Sequence, residues 1–137
     1  MQVYLDPGAH APTRAHPTDA GLDIRIMADA VVPARGSIAL RTGVHVRIPP
    51  DCAGILISKS GLNVRHDITS TGLIDEQFSG AITVKLYNHG DKDYELKAGD
   101  KISQLCIVPV CYVPVEIVDE LWEPEGRGMN GIGSTGR

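Results

Sequence analysis

Four short strings in this chain pair residue types that handle phosphate with carboxylates able to move a proton. In Gly72-Leu73-Ile74-Asp75-Glu76-Gln77-Phe78-Ser79-Gly80, two adjacent acids sit at a glycine-bounded tip between apolar flanks. A carboxylate so placed can orient a water molecule and accept its proton. Ser58-Lys59-Ser60-Gly61-Leu62 sets a cation, a hydroxyl and a glycine in series, three ways of approaching a phosphate oxygen. Ala20-Gly21-Leu22-Asp23 leads an acid into a strand behind a glycine turn, and Gly99-Asp100-Lys101-Ile102-Ser103-Gln104-Leu105 is a turn feeding an apolar strand. Taken singly, each also fits an ordinary solvated turn, with Lys59 a surface cation and Asp75-Glu76 a hairpin tip.

A fifth string closes the chain. Gly131-Ile132-Gly133-Ser134-Thr135-Gly136 has the G-x-G-x-x-G spacing of dinucleotide-binding turns, but only Arg137 follows it. Such a turn works by opening a helix whose N-terminus holds the pyrophosphate, and no helix can open here. From residue 123 onward there are five glycines, at 126, 128, 131, 133 and 136, and almost nothing apolar. A segment of this kind is expected to be flexible alone and to order on contact. A frayed terminus is the plain alternative, yet two arginines, a Ser-Thr pair and glycine-exposed amides are all phosphate donors.

The elements that must carry these strings read as β-structure. Residues 22–26 (LDIRI) alternate apolar and charged, as do residues 81–87 (AITVKLY). Residues 37–40 and 44–48 flank an Arg-Thr-Gly turn, residues 54–58 read as a buried strand, and residues 101–118 hold two apolar runs broken at Pro109 and Pro114. Many short strands with glycine and proline punctuation, and no sustained 3.6-residue period, predict an all-β sandwich or barrel. Residues 60–64 offer at most a helical turn, which the pattern does not support. Residues 7–17, polar and proline-rich, are expected to wrap the surface in extended form. Residues 1–122 thus form one domain and residues 123–137 a separate tail.

Composition narrows the function. A chain of 137 residues, 42% hydrophobic and 22% charged, is one soluble globular domain. A formal net charge of -4 argues against sequence-independent nucleic-acid binding, which needs a basic face, but leaves room for a small polyphosphate. Cys52, Cys106 and Cys111 lie in or beside apolar runs with no C-x-x-C pair, so buried thiols in a reducing compartment are expected. The five histidines have no ligand spacing, which disfavours an intrinsic zinc site. No transmembrane-length run exists, and the N-terminal MQVYLDPGAHAP lacks the apolar core of a signal peptide, so a cytoplasmic location is the default expectation.

In this order the strings AGLD, SGL, GLIDEQF-G, GDKI-QL and RG---G-GSTG resemble the five motifs of the homotrimeric dUTP pyrophosphatases (dUTPases). The resemblance runs from about residue 20 to residue 136. It implies a distorted β jelly roll, a homotrimer with sites shared between subunits, and Mg²⁺-assisted hydrolysis of dUTP to dUMP and pyrophosphate. Asp75 matches the catalytic carboxylate that orients water for attack on the α-phosphorus, leaving Glu76 to face solvent. Asp23 matches the acid that holds a water of the triphosphate-bound Mg²⁺. Lys59, Ser60, Gly61 and Gln104 match phosphate-contacting positions. The hairpin of Gly72, Leu73 and Ile74 would read uracil through its backbone, with Phe78 under the deoxyribose and Thr83 on the return strand among the substrate contacts. In the tail, which acts as a lid in this family, Arg127 would pair with the γ-phosphate. Ser134 and Thr135 would donate further hydrogen bonds, with Ile132 and Gly133 over the base.

Several positions depart from the family pattern. Lys59 replaces an arginine, so a bidentate clamp becomes a point charge. Phe78 replaces a tyrosine, Asn130 a glycine, and Ile132 a phenylalanine that stacks on uracil; losing that stack costs about 1–3 kcal/mol. The stretch from residue 60 to residue 75 is also slightly short. Two rival readings remain beside hydrolysis. A dCTP deaminase of the same fold needs a glutamate base and an arginine-rich phosphate motif, where this chain has SKSGL. A nucleotide-binding regulator that has lost catalysis fits the altered lid but not the retained Asp75 and Asp23.

Overall fold

The computed structural model describes residues 1–123. Ten strands and one short helix follow one another as β1 (Gln2–Leu5), β2 (Leu22–Arg25), β3 (Ala30–Val32), β4 (Ser37–Arg41), β5 (Val44–Arg47), β6 (Cys52–Ile57), α1 (Ser60–His66), β7 (Ile68–Ile74), β8 (Thr83–Asn88), β9 (Tyr94–Leu96) and β10 (Lys101–Pro109). Six strands make one antiparallel sheet in the order β2-β10-β6-β7-β8-β4, and two-stranded ribbons β1-β5 and β3-β9 complete the structure. The core draws on nearly every strand: Ile24, Val32, Val44, Leu56, Ile68, Val84, Leu86, Leu96, Ile102 and Leu105 are all but sealed from solvent. Alternation explains the choice of face, since in β8 Val84, Leu86 and Asn88 point inward while Thr83 and Tyr87 point out. Asn88 belongs inside because its amide donates to the Val32 and Lys92 carbonyls and its oxygen accepts from the Gly90 N–H.

Two local expectations change. The helix α1 exists, seven residues long, where the sequence supported no more than a turn. Its periodicity is silent because it has no buried residue; only Leu62 packs partly on the core. Its end supplies the stability instead: Asp67 adopts the left-handed conformation at φ 54°, its N–H reaches the Asn63 and Leu62 carbonyls, and Arg65 and His66 sit in the last turn. The second change concerns residues 110–118, whose apolar run forms no strand. β10 ends at Pro109, and the residues from 111 to 122 are exposed. Residues 7–17 run mostly exposed, as expected, with one antiparallel bridge between Thr13 and Asp23.

Candidate active site

The strand register lines up the polar residues of the sheet's centre. Gln104 on β10 pairs with Asp23 on β2 to one side and with Ile57 on β6 to the other, and Ile57 in turn pairs with Thr71 on β7. Lys59 follows two residues after Ile57 as the N-cap of α1, so Ser60 and Gly61 open the helix beside it. Asp23, Lys59, Lys101 and Gln104 meet in a cleft of about 300 Å³ that Gly21 and Cys106 also line. Below it, Ser58 and Ser70 exchange hydrogen bonds at 2.9 and 3.1 Å, and Ser103 donates to the Ile57 carbonyl at 3.1 Å. These buried links fix the strand end from which Lys59 projects.

Asp23 is the electrostatic centre of the cleft. One carboxylate oxygen bonds Lys59 Nζ, and the other lies 2.6 Å from Lys101 Nζ. Burial alone would push this carboxyl up, but the bonds from Lys101 and then Lys59 outweigh it and hold it below the ordinary carboxylate range. Lys101 was not among the site residues read from the sequence. Its signal was the cation inside the GDKI string, and only the β2–β10 register places it on Asp23. Two ammonium groups and an amide thus bring N–H donors of the kind that phosphate oxygens accept from to one cleft.

Gly21 lets Gln104 into that cleft. A methyl group there would stand 3.0 Å from Gln104 Cβ and collide with its Oε1. Gly21→Ala is therefore expected to displace the Gln104 amide and raise KM for a triphosphate substrate about tenfold, roughly 1.4 kcal/mol, with thermal stability little changed. Steady-state kinetics check this; an unchanged KM would mean that Gln104 does not touch the substrate.

A second group sits on the β7–β8 hairpin. These strands pair only at Ile68–Asn88, Thr69–Tyr87 and Ser70–Leu86. Beyond that they part: Thr71, Gly72, Leu73 and Ile74 stay on β6, while Thr83, Val84 and Lys85 pair with Arg41, Leu40 and Ala39 of β4. The β7 edge that faced β8 is thus left without a partner strand among the described residues, directly before Asp75. Leu73 and Asp75 are exposed, Ile74 is buried, and Thr83 lies at the exposed start of β8. A turn follows in which the Phe78 N–H donates to the Asp75 carbonyl at 3.1 Å. Phe78, 43% exposed, rests on Gly80, where an added methyl group would stand 2.7 Å from its ring.

Glu76, expected to face solvent, is half-buried at the surface and has two hydrogen-bond partners there. Its Oε2 accepts hydrogen bonds from the Asp51 N–H at 3.1 Å and the Tyr112 hydroxyl at 2.8 Å. That bond to Glu76 pushes the Tyr112 phenol up. Glu76 thereby braces the hairpin tip against the β5–β6 turn, a long-range contact that no local pattern announces, while its neighbour Asp75 stays open.

The sequence-derived residues therefore form two clusters rather than one. Asp23, Lys59 and Gln104 meet at the cleft, with Ser60 and Gly61 next to Lys59 in α1, and Gly72, Leu73, Ile74, Asp75, Phe78 and Thr83 lie on the hairpin. Asp75 follows the partner of Gly54 and so stands level with Ala53, whereas Lys59 lies past the other end of β6, so the two stand about 20 Å apart along the strand at 3.3 Å per residue. Arg127, Ile132, Gly133, Ser134 and Thr135 lie outside the described residues. So does the tail as a whole from residue 124.

Among the described residues no group of three or more His, Cys, Asp or Glu side chains could cage a metal ion. An ion carried by substrate phosphates needs no cage, and Asp23 suits it. Each of its oxygens has one lysine partner, which leaves lone pairs for metal-bound water. Nor is any helix among these residues long and apolar enough to cross a membrane.

Comparison with known proteins agrees with this geometry. The family model described as dUTPase matches residues 8–136. The deoxyuridine 5'-triphosphate nucleotidohydrolase of Clostridium acetobutylicum is 39% identical over 135 residues, covering 96% of this chain and 92% of that protein. The Arabidopsis thaliana protein of the same name is 39% identical over 133 residues, covering 96% and 80%. Among solved structures, Staphylococcus bacteriophage 80alpha dUTPase with dUPNHPP superposes with a TM-score of 0.91 at 29% identity, over 99% of this chain and 98% of that one. A mutant dUTPase from phage phi11 of S. aureus, described with a structural Mg(II) ion, gives 0.80 at 28% identity over 87% and 96%. The strands described above are arranged as the jelly roll of these structures, and the chain belongs to the dUTPase family.

Proposed function

We propose that this protein hydrolyses dUTP to dUMP and pyrophosphate, in sites assembled from more than one copy of the chain. The observation that carries the reading is the strand edge left open from Thr71 to Ile74, running straight into Asp75. A pyrimidine can pair with free backbone N–H and C=O groups as a second strand would. A slot of strand width excludes the thymine methyl, and its donor order mismatches cytosine. Phe78 on Gly80 is the wall under the deoxyribose, with no room for a 2′-hydroxyl.

The chemistry follows from the chain's own groups. The exposed Asp75 carboxylate orients a water in line with the α-phosphorus and takes its proton. Lys59, Lys101 and the Gln104 amide bind phosphate oxygens, and Ser60 and Gly61 add a hydroxyl and an unobstructed amide. Asp23 is the residue that would hold Mg²⁺ through its bound water, and the ion would supply charge neutralisation on the triphosphate. By the family resemblance the tail would add Arg127, Ser134 and Thr135 as phosphate donors and Ile132 as the residue over the base.

The oligomer answers the separation of the two clusters. About 20 Å along β6 is too far for one triphosphate to touch Asp75 and Lys59 of the same chain at its reacting end. A neighbouring copy brings one chain's hairpin to another's cleft. Support comes from the segment after β10, where Val113, Val115 and Ile117, at every second position, are 74%, 90% and 91% exposed and have no partner strand among the described residues. A homotrimer is the assembly proposed, and light scattering tests it: an active monomer would contradict the shared site. The activity itself is tested by pyrophosphate release from dUTP with and without Mg²⁺, against ammonia release from dCTP. Metal-dependent pyrophosphate with no ammonia is expected; the reverse pattern sinks the reading.

A further inference from the structure

The return leg of the hairpin, from Ser79 to Ile82, runs beside the start of β5. Two backbone bonds join them, Thr42 N–H to the Ile82 carbonyl at 3.2 Å and Ile82 N–H to the Val44 carbonyl at 2.8 Å. Toward the tip these backbone bonds stop, and a side chain makes the next link. His45 Nδ1 lies 2.8 Å from the Ser79 carbonyl, and its Nε2 lies 3.2 Å from Asp6 Oδ1, just after β1. The Tyr4 ring meets the imidazole edge-on at 5.4 Å. A carbonyl only accepts, so Nδ1 is the donor in this link. The imidazole is mostly covered, with 26% of its side-chain surface exposed. It is thus a fixed strut between the β1–β5 ribbon and the hairpin tip.

What the strut holds is specific. Ser79 separates Phe78 from the glycine on which the Phe78 ring rests, so the Ser79 carbonyl sets the plane of the peptide between them. Asp75 has other supports: it continues from the β6-paired Ile74, and Glu76 beside it is tied to Asp51 and Tyr112. Loosening Ser79 therefore frees the sugar wall before it frees the carboxylate. We infer that His45 is a positioning residue for substrate selection, latching the Ser79 carbonyl so that Phe78 stays closed against a ribose 2′-hydroxyl. This rests on the reading of Phe78 as the wall under the deoxyribose.

Two substitutions separate a hydrogen-bond role from simple space filling. Asparagine places its amide nitrogen near the Nδ1 position and can still donate to Ser79, whereas glutamine extends toward the Nε2 position and Asp6. With the full chain, His45→Asn is expected to keep KM for dUTP and the dUTP-over-UTP preference within about twofold of the wild type. His45→Gln should raise KM about 3- to 10-fold, the range of one lost hydrogen bond, and lower the dUTP-over-UTP preference similarly. Its kcat should change less than twofold or so, because Asp75 keeps its own anchors. A space-filling role predicts the opposite order, since glutamine replaces more of the ring's volume. Amide hydrogen exchange at residues 78–80 without substrate gives the same comparison independently of activity, with exchange faster in His45→Gln than in His45→Asn. If the wild type hydrolyses dUTP and both variants match it in KM and selectivity, the inference about His45 is overturned. If the wild type does not hydrolyse dUTP, the functional reading fails, and equal exchange in both variants then overturns the latch as well.

Discussion

Asp75→Asn is expected to lower dUTP hydrolysis by about 10²–10⁴-fold, the usual contribution of a general base, while dUTP still binds. Asparagine keeps the shape of the exposed side chain and can hydrogen-bond a water, but it cannot accept that water's proton. Binding survives because the open β7 edge and the cleft of Lys59, Lys101 and Gln104 are untouched. Single-turnover kinetics beside equilibrium titration of dUTP would read the two effects separately. The neighbouring Glu76 provides the contrast. Its carboxylate accepts from the Asp51 N–H and the Tyr112 hydroxyl, so Glu76→Gln, which retains one acceptor oxygen in this exposed brace, should leave stability and most activity intact. If Glu76→Gln abolished hydrolysis and Asp75→Asn did not, the catalytic assignment would be off by one residue.

The second large effect is expected at Asp23. Asp23→Asn leaves the Lys59 and Lys101 ammonium groups facing each other without their shared counter-ion, and it removes the charge that holds metal-bound water. Activity should fall at least tenfold, with a higher Mg²⁺ concentration needed for half-maximal rate. Bonds to charged groups contribute about 1.5–3 kcal/mol, so neutral-pH stability should drop by that order. The acid limb gives a separate signature. Because the folded protein holds the Asp23 carboxyl below its ordinary value of 3.8, its stabilisation is complete above that pH and is lost as pH falls through the lower, folded value. Asp23→Asn should lack this part of the acid-induced loss, so the gap between variant and wild type narrows below pH 3.8. A gap that stayed constant through acid unfolding would mean that Asp23 does not carry the lysine bonds in solution.

Legibility from sequence tracked how local each feature is. AITVKLY alternates because one face of β8 is buried, and the buried run at 54–58 lies largely within β6, whose neighbours are β10 and β7. α1 was missed because a helix that buries only part of Leu62 writes no period into the chain. The 110–118 run misled for a related reason. Alternation marks a face that needs covering, and the described residues hold no strand that covers it. At the site, residue types were legible from the ordered motifs, but their partners were not. Lys101 reaches Asp23 only through the β2–β10 register, Glu76 reaches Tyr112 across 36 residues, and the slot before Asp75 exists because the β7–β8 pairing stops at Ser70–Leu86.

The central claim is that a water oriented by Asp75 attacks the α-phosphorus. Running the reaction to a single turnover in water enriched with ¹⁸O, and weighing the products by mass spectrometry, tests it directly. The account predicts one labelled oxygen in dUMP and none in pyrophosphate. Label in pyrophosphate instead would place the attack on the β-phosphorus and contradict the role given to Asp75.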